Sequence, residues 1–122
     1  MAKKNILVIE DDQFFMELVA KELATGGFGV VQAPDGKRGL EKVRQSNPDL
    51  ILLDLLLPDI DGFEVLSTVK QDSGTSNIPV IILSNLSSKE DIERGLKLGA
   101  SDYLIKSQFS LPEVIDKIKS FI

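Results

Sequence analysis

Five short runs of aliphatic residues recur along this chain of 122 residues, and they constrain its fold more than any other feature. The runs do not alternate between apolar and polar residues, which is typical of strands buried on both faces of a parallel sheet. Segments with the apolar spacing of helices separate the runs. Strands that alternate with helices predict an α/β fold, with a doubly wound sheet of five parallel strands and helices on both faces. The runs span residues 6–9, 30–31, 50–53, 80–83 and 103–105.

Residues that favour helix starts precede each intervening segment. The expected caps are Asp12, Asp35 and Asp61 for the first three helices, and capping boxes of Ser87 with Glu90 and Ser110 with Glu113 for the last two. The apolar residues expected to face the core are Phe15, Leu18, Val19, Leu23, Leu40, Val43, Val65, Leu66, Val69, Val114, Ile115, Ile118 and Phe121. The fourth helix offers only Ile92 and Leu96 as large anchors, so we expect it to be held loosely and to move at low cost.

Four of the five runs end in residues that can carry chemistry. Glu10 and Asp11 follow the first run, Asp54 the third, Ser84 the fourth and Lys106 the fifth. Because ligands of parallel α/β sheets bind outside the carboxyl ends of the strands, we expect these side chains to meet at one edge. Three carboxylates beside one lysine must raise a carboxylate pKa or bind a cation. Oxygen ligands with one side open indicate Mg²⁺ as that cation.

Composition excludes several classes of site and partner. The chain has no cysteine and no histidine, which excludes disulfides, thiolate metal sites, histidine-ligated zinc and Ser-His-Asp catalysis. A net charge of −5 argues against non-specific nucleic-acid binding by this domain. No apolar run approaches the roughly 20 residues of a membrane span, and the basic residues 1–5 lead into a run too short for a signal peptide. We therefore expect a cytoplasmic protein without a membrane partner.

Four motifs in order give the chain a close similarity to one protein family. They are ILVIEDD at residues 6–12, LDLLLPDIDG at 53–62, the serine at 84, and GASDYLIK at 99–106. Together they resemble the receiver domain of bacterial two-component response regulators, over essentially the whole chain. The resemblance implies one receiver domain over residues 1–122. It also implies a flavodoxin-like (βα)5 fold with strand order 2-1-3-4-5.

The resemblance assigns roles to the acidic residues. Asp54 would accept a phosphoryl group from a histidine-kinase phosphohistidine and form an aspartyl phosphate. Asp11 and Asp54 would bind Mg²⁺ directly, with help from the backbone carbonyl of Leu56. Glu10 would act on the ion through a bound water. The chemistry would then be that of phosphoryl transfer generally, in which positioning and charge neutralisation do most of the work.

The resemblance also assigns roles to the later strand ends. Lys106 would pair with Asp54 and then with a phosphoryl oxygen, while Ser84 would donate its hydroxyl to another oxygen. Tyr103 would be the switch aromatic, which turns inward and changes the face formed by the fourth helix, fifth strand and fifth helix. The implied partners are a sensor histidine kinase or phosphotransfer protein and a downstream effector protein or domain. Homodimer formation on phosphorylation stays open.

The chain departs from the family pattern beside two of these residues. Ser107 follows Lys106 where the family usually has proline, often after a cis peptide bond. The Lys106–Ser107 peptide is therefore either trans, or cis and strained by about 3 kcal/mol. Asn85 follows Ser84 where the family commonly has a small residue, and it either narrows access to Asp54 or adds a hydrogen-bond donor.

Apolar side chains flank the expected phosphoryl site. Leu56 and Leu86 cannot hold a water for hydrolysis, so the sequence predicts slow self-dephosphorylation. The implied protein is thus not an enzyme in the usual sense, because it catalyses only its own phosphotransfer and slow autodephosphorylation.

Two alternatives compete with this interpretation. The first is a receiver-like docking module that is not phosphorylated, against which the complete set of acids, serine and lysine argues. The second is a Mg²⁺-dependent phosphohydrolase, whose usual second aspartate two residues after the nucleophile is replaced here by Leu56. No glycine-rich phosphate loop follows the first strand, which also disfavours nucleotide binding.

Overall fold

The computed structural model describes residues 3–122, in which a strand and a helix alternate five times. The strands are β1 (Asn5–Ile9), β2 (Gly29–Ala33), β3 (Leu50–Leu53), β4 (Val80–Ser84) and β5 (Asp102–Ile105). The helices are α1 (Gln13–Thr25), α2 (Gly36–Ser46), α3 (Gly62–Gln71), α4 (Lys89–Lys97) and α5 (Leu111–Phe121), with a short 3-10 turn over Lys106–Gln108. Met1 and Ala2, which belong to the segment considered as a signal peptide, lie outside the described residues. Over residues 3–122, no helix combines the length and apolarity needed to cross a membrane.

All five strands pair in parallel in the order β2-β1-β3-β4-β5, which confirms the predicted doubly wound sheet. The order reverses direction between β1 and β3, where α/β folds of this kind bind their ligands. The register aligns Ile9 with Leu53, so the residues that follow, Glu10 and Asp54, leave the sheet side by side. The Asp54 N–H extends the ladder by donating to the Ile9 carbonyl at 3.0 Å.

Two separate apolar clusters cover the two faces of the sheet. Leu7 and Ile9 of β1 face a cluster built with α2 and α3, against which α4 packs. Ile6 and Val8 face the opposite cluster, which α1 and α5 complete. Because every residue of β3 is buried, this central strand is apolar throughout and shows no alternation.

Each helix begins at a side-chain cap. The N-caps are Asp12, Asp35, Asp61, Ser88 and Ser110. The Ser110–Glu113 capping box is confirmed in both of its hydrogen bonds. The predicted box of Ser87 with Glu90 is wrong by one residue, because Ser88 caps α4. The Ser88 hydroxyl accepts from the Asp91 N–H and donates to the Asp91 carboxylate, whose short side chain meets the hydroxyl rather than the cap backbone.

Two residues predicted to face the core lie at the surface instead. Leu18 is 41% exposed because the buried stripe of α1 runs through Met16, Val19 and Leu23, which places Leu18 beside it. Phe121 is 39% exposed because α5 continues past its last buried residue, Ile118.

Helix α4 is the helix least embedded in the core. Its only buried residue is Gly95, while Ile92 is half-buried and Leu96 is 46% exposed, so the prediction that Leu96 is an inward anchor is wrong. A Cβ at position 95 would lie 2.6 Å from Ile82 Cδ1 and 3.2 Å from Tyr103 Cδ2. The helix therefore reaches the sheet through the close approach that glycine permits, rather than through large apolar side chains.

Candidate functional site

The predicted acidic residues meet at the carboxyl ends of β1 and β3. Carboxylate oxygens of Glu10, Asp11 and Asp54 all lie within 4.8 Å of one another. Glu10 and Asp54 are buried, whereas Asp11 is exposed, so the cluster opens to solvent on one side. An all-oxygen donor set with an open side fits Mg²⁺, which keeps several waters when it binds to proteins.

Lys106 joins the acidic cluster from the end of β5. Its Nζ donates to Glu10 Oε1 and, at 2.9 Å, to Asp54 Oδ2, and its side chain is only 14% exposed. Burial alone would lower the pKa of Lys106, but the hydrogen bonds to Glu10 and Asp54 outweigh it and raise that pKa. The lysine is therefore a fixed positive charge in the pocket.

Glu10 is a carboxylate of the pocket whose pKa is shifted. Burial raises the pKa of Glu10 to about 7, and the neighbouring Asp54 charge adds to the rise. The hydrogen bond from Lys106 and a 3.0 Å bond from the Asp12 N–H act in the opposite direction. Near neutral pH the pocket is thus balanced between holding a proton on Glu10 and holding a cation.

The loop after β3 holds the Asp54 side chain in place. The Leu56 N–H donates to Asp54 Oδ1 at 3.2 Å, and the Leu56 side chain is 53% exposed. Gly62, the first residue of α3, packs directly on this loop, since a Cβ there would lie 2.4 Å from Leu55 Cα. The loop between β3 and α3 is therefore a tight turn whose geometry depends on a residue without a side chain.

Asp59 fastens the same loop to α2, a link that sequence reasoning missed. Its two carboxylate oxygens accept hydrogen bonds from the N–H groups of Gly36 and Lys37, both at 2.9 Å. Desolvation opposes ionisation of Asp59, but the backbone donors of Lys37 and Gly36 outweigh it and lower the pKa to about 2. Asp59 thus acts as a second cap of α2 supplied from another loop.

Ser84 and Tyr103 are connected through Leu86. The Ser84 hydroxyl oxygen is buried and accepts from the Leu86 N–H at 3.4 Å. The Tyr103 hydroxyl donates to the Leu86 carbonyl at 2.6 Å. Burial raises the pKa of Tyr103 to about 12, assisted by the charges of Asp91 and Asp54. Tyr103 is therefore turned inward. The backbone of Leu86 bonds to both the Tyr103 and the Ser84 hydroxyl groups.

The structure resolves the question of the peptide bond after Lys106. Every peptide bond between residues 3 and 122 is trans, including that between Lys106 and Ser107, and the 3-10 turn begins at Lys106. Lys106 reaches both carboxylates from this trans backbone. Asn85, the other departure from the family pattern, is exposed.

Leu56 and Leu86 line one cleft beside the acidic pocket. The cleft has a volume of about 460 Å³, and Asp91 and Arg94 of α4 contribute to its wall. The two leucines that were expected to flank a phosphoryl site therefore share one surface. Arg94 also lies over the Phe63 ring, with its guanidinium carbon 4.2 Å from the ring centroid, which links α4 to α3.

Phe15 is a second residue whose position the sequence did not reveal. It was predicted only as a core residue, and it is half-buried against the cluster between α1 and α5. Its ring also lies beside the pocket, with its centroid 4.4 Å from Lys106 Nζ. No sequence signal marks this contact, because Phe15 and Lys106 come from opposite ends of the chain.

Comparisons with known proteins agree with this geometry. A family model described as the response regulator receiver domain matches residues 6–119. The DNA-binding dual master transcriptional regulator RpaA of Synechocystis sp. is 39% identical over 118 residues, which are 97% of this chain and 48% of that protein. The solved receiver domain of the Francisella response regulator 1452 aligns with a TM-score of 0.90 and 34% identity over 98% of this chain and 96% of that one. The phosphorylated cyanobacterial phytochrome response regulator RcpA aligns with a TM-score of 0.84 and 36% identity, over 98% and 91% of the two chains.

The curated relatives are longer than this chain. The chain spans about half the length of the curated relatives that it matches. The relatives are transcriptional regulators and receiver domains rather than enzymes of metabolism.

Proposed function

The chain belongs to the response regulator receiver family, which acts in phosphorylation-dependent two-component signalling, and we propose that it is a switch phosphorylated on Asp54. One observation carries the proposal. Asp54 is a buried carboxylate that faces the Lys106 ammonium at 2.9 Å and has two further carboxylates beside it. A buried charge in so apolar a strand region needs a partner or a purpose, and this arrangement supplies both. We propose that residues 1–122 form a single receiver domain.

The family typically uses Mg²⁺ at an acidic pocket, and the donors present here fit that ion. We expect Asp11, Asp54 and the backbone carbonyl of Leu56 to bind it directly, and Glu10 to act through a water. When bound, the ion would neutralise negative charge on the phosphoryl oxygens and let a fourth negative group enter the pocket beside the three carboxylates.

The chain's own residues would then divide the phosphotransfer between them. An oxygen of Asp54 attacks the phosphorus of a phosphohistidine, a P–O bond forms, and the P–N bond to the donor breaks. The donor nitrogen keeps the bonding electrons, and the donor leaves as neutral imidazole because a proton on its other ring nitrogen balances the charge. Lys106, which begins hydrogen-bonded to Asp54, would move to a phosphoryl oxygen, and the Ser84 hydroxyl would donate to another.

The output of the switch would pass through Leu86 and Tyr103. If Ser84 turns toward the phosphoryl group, the hydrogen bond from the Leu86 N–H must adjust, and the Tyr103 hydroxyl bonds the carbonyl of the same residue. The lightly embedded α4 packs on the Tyr103 ring at Gly95, so we expect the face of α4, β5 and α5 to change.

The partners follow from family membership and remain proposals for this chain. We expect a sensor histidine kinase or phosphotransfer protein as donor, and a downstream effector protein or domain as target, with a homodimer of phosphorylated chains as a further option. The acidic charge argues against direct nucleic-acid binding by this domain. A cytoplasmic location is typical of response regulators.

Intact-mass spectrometry after incubation with acetyl phosphate and Mg²⁺ tests the proposal. We expect one added phosphoryl group on the wild-type chain, and none on Asp54→Asn or in the presence of EDTA. Absence of an adduct on the wild-type chain would overturn the proposal in favour of a docking module that is not phosphorylated. An adduct that survives Asp54→Asn would mean that the acceptor is a different residue.

A further inference from the structure

Four residues around the pocket form a closed circuit of contacts. The Glu10 carboxylate accepts from Lys106 Nζ through one oxygen and from the Asp12 N–H through the other. Asp12 in turn caps α1 by accepting from the Phe15 N–H at 3.2 Å. The circuit closes where the Phe15 ring faces the Lys106 ammonium, 4.4 Å from its centroid. The end of β1 thus holds the first residues of α1 in place. These residues in turn position the Phe15 ring beside Lys106.

Lys106 has particular need of such a contact in this chain. Its side chain has four rotatable bonds, and no proline follows it to stiffen the backbone. An ammonium has three N–H donors, of which Glu10 and Asp54 take two. Beyond these two hydrogen bonds, the Phe15 ring lies 4.4 Å from the same nitrogen.

An aromatic ring suits this position better than another anion. The face of a benzene ring attracts a cation through its quadrupole but carries no net charge. A fourth carboxylate would instead add to the repulsion among Glu10, Asp11 and Asp54, and would repel an incoming phosphoryl group. The ring can therefore hold the lysine without making the pocket more negative.

We propose that Phe15 is a positioning residue, whose ring holds the Lys106 ammonium in the pocket while the ammonium exchanges an Asp54 oxygen for a phosphoryl oxygen. This inference rests on the proposed function, since it assigns Phe15 a part in the same phosphotransfer. It is distinct from simple packing, because it depends on the electrostatics of the ring and not only on its size.

The adjacent Phe14 offers a matched control. It is the same residue type on the same helix, but its side chain is 72% exposed. Replacement of either phenylalanine by mono-, di- and trifluorophenylalanine weakens the ring quadrupole in steps, with little change in shape. Acetyl phosphate as the donor keeps protein-docking surfaces out of the measurement.

The test measures the rate of phosphoryl uptake by intact mass across the two fluorinated series. At position 15 we expect a stepwise fall that reaches about three- to tenfold with the trifluoro residue, and Phe15→Tyr should keep a near-normal rate because its π face is retained. At position 14 we expect a flat series. A flat series at position 15, or equal slopes at both positions, would overturn the proposal.

An NMR measurement separates failure of this inference from failure of the proposed function. The ring current of Phe15 should displace the Lys106 ε-methylene protons upfield in the unphosphorylated protein. Phe15→Leu should abolish that displacement, whereas Phe14→Leu should leave it intact. If the wild-type chain takes up no phosphoryl group, the proposed function fails while this measurement still decides whether the ring holds the lysine. An equal resonance position in both leucine variants would reject the contact.

Discussion

Three carboxylates and one ammonium meet at the ends of β1, β3 and β5, and the excess of negative charge governs what each residue can do. Two like charges about 4 Å apart repel by about 4 kcal/mol at an effective dielectric constant of 20. One lysine cannot neutralise three acids. The pocket must therefore protonate Glu10, whose pKa is raised to about 7, or take in a cation.

We predict that two leucines in the neighbouring cleft set the lifetime of the proposed phosphoryl group on Asp54. Leu56 and Leu86 line that cleft with apolar surface and cannot orient a hydrolytic water. The double variant Leu56→Asn, Leu86→Glu should speed loss of the phosphoryl mass by about tenfold or more, because both new groups can position a water. Leu96→Glu, at an exposed leucine of α4 that does not line this cleft, is the control and should leave the decay unchanged. Equal decay of the double variant and the wild type would contradict the prediction.

The residues at strand ends were predictable, whereas those that support them were not. Glu10, Asp54 and Lys106 each follow an apolar run, and parallel register brings such residues to one edge wherever the runs pair. Asp59 and Phe15 act through contacts with distant segments, at the start of α2 and the end of β5. Nothing in their local sequence encodes these contacts, which arise only once the loops and helices are packed.

At the scale of secondary-structure elements, α4 differs from the other four helices in how it is held. The other helices bury aliphatic side chains, whereas α4 buries only Gly95. The predicted shortage of large buried anchors in α4 is confirmed, but Leu96 is not one of them, and the low cost of moving the helix stays a prediction. Apolar periodicity favours large residues as anchors, so it overlooks a helix that approaches the sheet through a glycine.

A substitution at Gly95 should therefore displace the whole of α4. Gly95→Val would press against Ile82 and the Tyr103 ring, and we expect a loss of about 1–3 kcal/mol in the free energy of unfolding. Glu93→Val places the same β-branched residue at an exposed position of the same helix, and it should cost less than about 0.5 kcal/mol. Urea unfolding measures both values. Equal losses in the two variants would show that α4 does not depend on this close approach.

At the scale of the whole molecule, the raised pKa of Glu10 couples stability to pH. Between pH 4.5 and about 7 the folded chain holds a proton that the unfolded chain has lost. The stabilisation is therefore fully present below pH 4.5 and is lost as the pH rises through about 7, with a total of about 3 kcal/mol. Urea unfolding in EDTA should give a higher free energy at about pH 5 than at about pH 7.5.

Two controls identify Glu10 as the source of that slope. Glu10→Gln cannot titrate, so its stability should change little between the same two pH values. Mg²⁺ requires ionised carboxylates and should stabilise the wild-type chain more at the higher pH. An unchanged dependence of stability on pH in Glu10→Gln would assign the effect to other groups.

Asp59, with a pKa of about 2, affects stability with the opposite sign, because its stabilisation is present above pH 3.8 and lost only as the pH falls toward 2.

The order of strands and helices could be predicted more fully than the burial of individual side chains on the helices. Five runs and five caps gave the order of the elements, because each strand and helix is encoded within about a dozen neighbouring residues. The inward or outward orientation of Leu18 and Phe121 depends on which neighbouring elements cover them, and local periodicity carries no information on that.

The inward position of Tyr103 has one more consequence. Tyr103 is the only tyrosine in a chain that has no tryptophan, so the near-ultraviolet absorption and emission of tyrosine come from this one side chain. Its hydroxyl is bonded to the Leu86 carbonyl, and its ring packs beside Gly95 of α4. The domain therefore carries a built-in fluorophore between its acidic pocket and α4, its least embedded helix. A spectrometer can follow any rearrangement of that region in real time, on the unlabelled protein.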